Sequence, residues 1–267
     1  MIKISDMIDK AVQQGYSEAN AQAKVCQDLI LALISQSKLN QNVTVKGGVV
    51  MRGITGDARR ATQDIDLDFI KYSLQDSSID RFVSVLNSVG LVSIRRIGDI
   101  EELRQQDYHG KRIYVEIRDS YGTLLTSKID LGVHKHYDIA QVEFCFDVGL
   151  DDEGVSMLIN SNEQMFTEKL RSILKFGSLS TRYKDIFYLY YLTEFLDSAK
   201  LLKCFDTYIF KDAGMREQNL DDIIRRVQNT FRDSRYISRL STSRKNWLDA
   251  DLDDVLNGIV NYLKYLK

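Results

Sequence analysis

The chain has 267 residues, of which 44% are hydrophobic and 28% are charged, the usual balance of a globular protein long enough for two modest cores. Lysine and arginine total 36 against 38 aspartate and glutamate residues, so a net charge of -2 gives no overall attraction to nucleic acid or anionic lipid. Any polyanionic partner must therefore be bound by a local basic patch.

The cysteines and the hydropathy pattern indicate a cellular compartment. Cys26, Cys145 and Cys204 are widely separated and have no spacing typical of a zinc site or a disulfide framework. No apolar run reaches the roughly 20 residues that span a bilayer, and the first residues lack a signal-peptide core. We expect a cytoplasmic protein that does not bind membranes.

The first recognisable pattern runs from a helix into a strand and a glycine turn. Apolar residues at near-helical spacing predict an amphipathic helix over 18–37. A short apolar strand at 43–45 leads into Gly47 and Gly48, and a second helix is predicted over 49–54. The order is strand, glycine turn, helix.

The next segment alternates apolar and acidic residues. Ile65, Leu67 and Phe69 occupy every second position, and the aspartates between and before them are Asp64, Asp66 and Asp68. This period of two predicts a strand with one buried face, so the three aspartates share the other face.

Later segments change from alternating to helical spacing. We predict a helix at 78–89, then strands at 91–97, 112–118, 123–133 and 141–148, with a hairpin turn at Tyr121 and Gly122. From Asn162 onward we predict helices only, at 163–176, 182–196, 199–211, 219–232 and 246–265. The change places a domain boundary within 150–161, where the acidic turn Asp151–Gly154 is the natural hinge.

Two of these features together indicate phosphate chemistry. Asp64 and Asp66 lie two residues apart on one strand, so their carboxylates project to the same side about 7 Å apart and can share a cation. Mg²⁺ is commonly bound by one or two carboxylates plus substrate phosphates. Gly47 and Gly48 allow close approach of the backbone to a phosphate at the N-terminus of the following helix.

The same residues carry a family resemblance. The segments Val45–Gly48 and Arg60–Leu67 resemble the first motif of the AbiEii/AbiGii toxin family of nucleotidyltransferases, within the polymerase-β-like superfamily. Glu168-Lys169-Leu170 and Arg182–Leu189 are similar to the family's E-K-L segment and its R-x-(K/R)-D motif. The resemblance spans about residues 43–195. It departs from the usual pattern at Val49, where a small hydroxyl residue is common, and at Tyr188, where an acidic residue is common.

The resemblance implies the members of an active site. It implies that Asp64 and Asp66 are catalytic metal ligands for Mg²⁺ and that an NTP is the substrate. It also implies a third carboxylate on a neighbouring strand, acting as base or metal ligand, for which Asp130 is the first candidate and Glu116 the alternative.

The glycine turn and the helical half complete the expected site. Gly47, Gly48 and Lys169 are expected to bind the nucleotide, and Lys169 and Asp185 are expected to be catalytic. Lys169 lies beside an apolar stripe of its helix, where an ammonium near the triphosphate would neutralise charge on the leaving pyrophosphate. Asp185 would orient Lys169, or would merely pair with its helix neighbours.

These observations predict an α+β protein with an N-terminal nucleotidyltransferase domain, built on a mixed β-sheet, over 1–155. A helical C-terminal domain follows over 156–267, and the substrate cleft is expected between the two. The expected reaction transfers a nucleoside monophosphate from an NTP to a hydroxyl group and releases pyrophosphate.

The resemblance also suggests a biological role. It suggests a type IV toxin of a toxin-antitoxin or abortive-infection system, acting on tRNA 3′ ends, with a cognate antitoxin that acts in the same system without direct binding. A local basic patch for RNA is available in Arg225, Arg226, Arg232, Arg235, Arg239, Arg244 and Lys245. The alternatives are a protein or small-molecule acceptor, and a non-catalytic descendant that binds a nucleotide or a partner.

Overall fold

The computed structural model describes residues 2–103, 110–150 and 153–267. The chain divides into two compact units, Met1–Asn160 and Ser161–Lys267. The first unit contains the sheet, and the second is built from helices. Asp151 and Asp152 of the predicted hinge lie outside the described residues.

The first unit contains four helices and seven strands among its described residues. The helices are α1 (Ile4–Gln13), α2 (Glu18–Ser35), α3 (Gly47–Thr55) and α4 (Asp76–Asn87). The strands are β1 (Val43–Lys46), β2 (Asp64–Phe69), β3 (Ser93–Leu103), β4 (Gly110–Arg118), β5 (Leu124–Val133), β6 (Val142–Phe146) and β7 (Val155–Ile159).

The strands form one mixed sheet in the order β3-β4-β5-β2-β1-β7-β6. The β2–β5 and β1–β7 pairs are parallel, whereas the β1–β2, β3–β4, β4–β5 and β6–β7 pairs are antiparallel. Helix α2 packs on β5 and β7, and α4 packs on β3. The prediction of an α+β fold with a mixed sheet is confirmed.

The core lies on one face of the central strands. Ile65 and Leu67 of β2 are fully buried, as are Val45 of β1 and Ile129 and Leu131 of β5. Because side chains alternate along a strand, the residues between them point to the opposite face. That opposite face carries the acidic row of β2.

The second unit is helical throughout its described residues. Its helices are α5 (Asn162–Phe176), α6 (Tyr183–Leu192), α7 (Ser198–Phe205), α8 (Leu220–Arg232), α9 (Ser234–Thr242) and α10 (Leu252–Tyr265). A π-helical turn, Asp206–Phe210, extends α7. The predicted all-helical pattern after Asn162 is therefore confirmed.

Three elements were not predicted from the sequence. Helices α1 and α9 are short and amphipathic, with Ile4 and Ala11 buried in α1 and Tyr236 and Leu240 buried in α9, and the sequence prediction did not include them. Strand β7 lies within 150–161, the region that the sequence analysis assigned to the domain boundary and not to a strand. It pairs with β1 in parallel, and the first unit therefore extends to Asn160. The division into functional domains at residue 155 remains a prediction.

Other elements differ from the prediction at their ends. Strand β3 continues to Leu103, beyond the predicted limit of 97. The last helix begins at Leu252 instead of near 246, because the Asp251 side chain accepts hydrogen bonds from the backbone N–H groups of Asp253 and Asp254 and caps the helix there.

A buried ionic cluster joins α2 to α3. Asp28 on α2 is almost completely buried and accepts hydrogen bonds from Lys24 on its own helix and from Arg52 on α3, the latter at 3.1 Å. Arg52 is also buried. The cluster therefore fixes α3, and with it the glycine turn at its start, against the central helix.

We expect Asp28→Ala to destabilise the protein by about 3–5 kcal/mol, because it leaves two largely buried cations without their carboxylate. Urea denaturation measures this change. The matched control is Asp6→Ala, which removes the partner of Lys3 from an exposed pair at the start of α1 and should have a much smaller effect. Equal losses for the two variants would show that the cluster does not stabilise the α2–α3 packing.

Candidate active site

The acidic face of β2 is the starting point of the candidate site. Asp64 and Asp66 are half-buried, while Ile65 and Leu67 between them are fully buried. The parallel strand β5 places Lys128 opposite Asp64 and Asp130 opposite Asp66. A row of charged side chains therefore crosses from one strand to the next on the face away from the core.

Asp64 is held by two donors. Its carboxylate accepts a hydrogen bond of 2.9 Å from the Thr62 hydroxyl and lies 3.1 Å from the Lys128 ammonium. Burial acts to raise the pKa of Asp64, but the hydrogen bonds from Thr62 and Lys128 and the charge of Lys128 outweigh it and lower the pKa. Asp64 is therefore ionised at neutral pH, as a metal ligand must be.

Asp68, the third aspartate of β2, is in a different environment. Its side chain is only 9% exposed, against 31% for Asp64, and it forms an ion pair of 2.7 Å with Lys46 at the end of β1. The pairing occupies Asp68 with a cation that is itself almost buried. Of the possible aspartate pairs on β2, Asp64 and Asp66 are thus the more accessible one.

The structure also distinguishes the candidates for the third carboxylate. Asp130 lies directly beside Asp66 on the adjacent strand and receives two hydrogen bonds from the Arg112 guanidinium, at 2.7 and 2.8 Å. Glu116 lies on β4, two strands away from β2, where it pairs with Arg95 at 2.8 Å. Asp130 is therefore brought next to the β2 carboxylates, and Glu116 is not.

The glycine turn lies against the same carboxylates. Gly47 begins α3 with φ +69°, and a Cβ atom at this position would lie 2.1 Å from Oδ2 of Asp66. A Cβ on Gly48 would lie 2.8 Å from the Thr62 side chain. Both contacts are shorter than atoms tolerate, so only glycine allows the helix N-terminus to approach β2 this closely.

Buried polar residues of α2 support this arrangement. The Gln27 amide donates hydrogen bonds to the backbone carbonyls of Thr62, at 2.8 Å, and Asp64, at 3.2 Å, which fixes the start of β2. Sequence reasoning did not identify Gln27, Lys128 or Arg112 as members of the site. No local pattern marks them, because their positions follow only from helix packing and strand register.

The residues at this place fit Mg²⁺ bound together with a substrate. Within the described part of the chain, no group of three or more His, Cys, Asp or Glu side chains is arranged to hold a metal ion. A complete protein cage is thus not formed there. Two carboxylates beside a glycine turn match a cation that takes its remaining ligands from water and phosphate. Because Gly47 has no Cβ, the backbone approaches the Asp66 carboxylate closely at this point.

The second unit holds the two remaining candidates close together. The Lys169 ammonium on α5 lies 3.3 Å from Oδ1 of Asp185 on α6, and both side chains are largely buried. The other carboxylate oxygen of Asp185 pairs with Arg182 at 3.0 Å. Asp185 therefore does both of the things considered from the sequence: it contacts Lys169 and pairs with a helix neighbour.

Comparison with known families decides the classification. A family model described as nucleotidyl transferase AbiEii toxin, Type IV TA system, matches residues 28–256. The chain belongs to this AbiEii family. The match includes every candidate residue on β2, β5, α3, α5 and α6, and it extends beyond the segment that the sequence motifs covered. The protein is thus a nucleotidyltransferase of a type IV toxin family, whose members use an NTP and are paired with an antitoxin.

The comparisons with solved structures and with curated proteins do not contribute to the AbiEii assignment. A solved structure, an antigenic nucleotidyltransferase-like protein from Paracoccidioides brasiliensis, aligns with 86% of this chain and 93% of its own chain, at 15% identity and a TM-score of 0.43. No curated protein matches the sequence. Among the described residues, no helix is both long and apolar enough to cross a membrane.

We expect Gly47→Ala to lower nucleotide transfer by the AbiEii protein about 100-fold, because the new Cβ displaces the Asp66 carboxylate and misplacement of about 1 Å has an effect of that order. The control is Gly56→Ala at the other end of α3. Gly56 also has a positive φ, of +63°, but its Cβ would meet nothing within 4 Å.

Both glycine substitutions should destabilise the fold by about 1–2 kcal/mol, because both place a side chain in the left-handed region. Only Gly47→Ala should affect transfer beyond the loss of folded protein. Steady-state kinetics on protein verified as folded by circular dichroism separates the two effects. Equal transfer rates for the two variants would contradict a site at the Gly47 turn.

Proposed function

We propose that this protein transfers a nucleoside monophosphate from an NTP to the 3′ end of tRNA in a Mg²⁺-dependent reaction. The single observation that carries the catalytic part of this proposal is the close approach of the Gly47 turn to the carboxylate row of β2. The AbiEii membership supports the reaction class, and the chemistry of the residues supports their roles.

The carboxylates of the first unit would bind and orient the reactants. Asp64 and Asp66 would hold Mg²⁺, which supplies charge stabilisation at the phosphoryl oxygens when bound. Asp130 would accept the proton of the attacking hydroxyl or serve as a further metal ligand. Its pairing with Arg112 is compatible with this role, because an ionised carboxylate has about four lone-pair sites and two hydrogen bonds leave some unused.

The glycine turn and the helical unit would act on the nucleotide phosphates. Gly47 and Gly48 would let backbone N–H groups at the start of α3 approach the triphosphate. Lys169 would neutralise the charge that develops on departing pyrophosphate, and Asp185 would orient its ammonium.

The proposed acceptor rests partly on the charge of the second unit. Six residues of the proposed basic patch are exposed: Arg225, Arg232, Arg235, Arg239, Arg244 and Lys245. Arg226 is half-buried and donates to the backbone carbonyl of Leu174 at 3.0 Å, so it contributes to the fold of the unit. The exposed cations would contact RNA phosphates in a protein whose overall charge is close to neutral.

The biological setting follows from the same proposal. Modification of tRNA ends in the cytoplasm would stop translation, which suits a toxin of an abortive-infection system. The cognate antitoxin would act in the same system without binding the toxin. The alternative acceptors are a protein hydroxyl and a small molecule, and a chain that binds NTP without turnover is the non-catalytic alternative.

A labelling assay tests the function and its alternatives together. Purified protein is incubated with Mg²⁺ and each of the four α-labelled NTPs, in the presence of tRNA, of tRNA with an oxidised 3′ end, or of cell extract treated with ribonuclease. We expect label on intact tRNA only. Label incorporated in the ribonuclease-treated extract would favour a protein or small-molecule acceptor. NTP binding in calorimetry without labelling in any of these incubations would favour the non-catalytic alternative.

We expect Asp64→Asn and Asp66→Asn each to lower the transfer rate by about 1,000-fold or more, because loss of a metal ligand removes several kcal/mol of transition-state stabilisation. The matched control is Asp68→Asn on the same strand face. Since Asp68 is nearly buried and paired with Lys46, its change should destabilise the fold by leaving the Lys46 charge without its carboxylate, but the rate per folded molecule should stay within about threefold of wild type. Large losses for Asp66→Asn and Asp68→Asn with a normal rate for Asp64→Asn would instead assign the metal pair to Asp66 and Asp68.

We expect Lys169→Ala to lower kcat about 100-fold or more with little change in KM, because the ammonium acts mainly on charge that develops in the transition state. Lys169→Arg should recover only part of kcat, because the guanidinium is planar and larger. Asp185→Asn should also lower kcat. The control is Lys200→Ala, at an exposed position of α7. If kcat of Lys169→Ala stays within threefold of wild type, Lys169 is structural.

A further inference from the structure

The Lys169 ammonium contacts an aromatic ring as well as a carboxylate. Its nitrogen lies 4.3 Å from the centre of the Tyr188 ring. Tyr188 and Asp185 are three residues apart on α6 and therefore lie on the same face of that helix. The ammonium is thus held from two directions by one helix.

The Asp185 carboxylate does not fix the ammonium by itself. Charge-assisted hydrogen bonds of this kind are typically about 2.7–2.9 Å long, and the Lys169–Asp185 contact is 3.3 Å. Asp185 also shares its single charge with Arg182, which approaches more closely, at 3.0 Å. A lysine side chain has a long flexible stem, so this loose and shared contact leaves the position of the ammonium underdetermined.

The Tyr188 ring is itself held in place from behind. Tyr188 is 3% exposed, and its ring packs against Trp247 with centroids 5.9 Å apart. Trp247 is buried and also contacts the Tyr191 ring. The ring face that Lys169 meets is therefore part of a packed aromatic cluster and has little freedom to move.

We propose that Tyr188 is a positioning residue that fixes the Lys169 ammonium through the face of its ring while leaving the charge of that ammonium available to the departing phosphates. A carboxylate in this place would also attract Lys169 but would cancel its charge. An aromatic ring attracts a cation through its quadrupole and carries no net charge. The inference rests on the role of Lys169 in the proposed function.

The contact can be tested without any measurement of activity. Reductive ¹³C-methylation of lysines gives each lysine an NMR signal, and Lys169→Arg assigns the signal of Lys169. A ring 4.3 Å from the nitrogen shifts this signal upfield, so Tyr188→Leu should move it downfield while other lysine signals stay in place. An unchanged Lys169 signal would overturn the proposal.

The role of the ring is tested by changing its electrons at nearly constant shape. The unmethylated full-length protein is made with Tyr188→Phe and with mono-, di- and trifluorophenylalanine at the same position. We expect kcat to fall stepwise along the series, by about tenfold from phenylalanine to the trifluoro ring, with KM unchanged and every variant still folded at the assay temperature. The same series at Tyr191, whose ring contacts Phe195 and Trp247, should leave kcat constant.

Each result separates this inference from the proposed function. A constant kcat along the Tyr188 series, together with a large loss for Lys169→Ala, would overturn the positioning role while the proposed function stands. A fall of kcat that disappears when the rate is corrected for the fraction of folded protein would show a merely structural ring and would also overturn it. A normal kcat for Lys169→Ala would overturn the role of Lys169 and this inference with it.

Discussion

The candidate site depends on balancing like charges across neighbouring strands. Three aspartates on one face of β2 lie about 7 Å or less from the next in line, so without nearby cations their negative charges would repel one another. Cations from both neighbouring strands offset this repulsion: Lys46 of β1 pairs with Asp68, and Lys128 of β5 pairs with Asp64. The strand order β5-β2-β1 is therefore an electrostatic requirement of the acidic row as well as a consequence of packing.

Helix α2 connects this sheet to the glycine turn. It is the most deeply buried helix of the first unit, yet it carries Gln27 and Asp28 in its interior. Buried polar groups are costly unless they are hydrogen-bonded, and here the Gln27 amide nitrogen donates to the start of β2 and the Asp28 carboxylate accepts from Arg52 of α3. The same helix therefore provides apolar packing and fixes two separate segments relative to each other.

The sequence was informative where a feature is local. The alternation in β2, the two glycines between β1 and a helix, and the helical spacing after Asn162 all lie within short windows, and the structure agrees with each, although α3 begins at Gly47 and so includes both glycines. Contacts between residues on different strands or helices cannot be recognised within a short stretch of sequence. The pairs Asp64–Lys128 and Asp130–Arg112 depend on strand register, and Lys169 meets Tyr188 only because α5 packs on α6. Strand β7 buries every second residue, Val155, Met157 and Ile159, but it lies in the segment that the sequence analysis assigned to the domain boundary.

The pairs on β2 differ in how readily they can exchange for a metal. The Lys46 and Asp68 side chains are 13% and 9% exposed, and separating such a nearly dry pair leaves two charges without solvent or partner. Lys128 and Asp64 are 30% and 31% exposed, and pairs with that degree of solvation contribute only about 0–1 kcal/mol. A divalent cation can thus displace Lys128 from Asp64 at little cost, whereas displacing Lys46 from Asp68 is expensive. If the proposed function holds, the gradient of burial along one strand favours Asp64 and Asp66 over Asp68 as the metal pair, although all three aspartates share the same face.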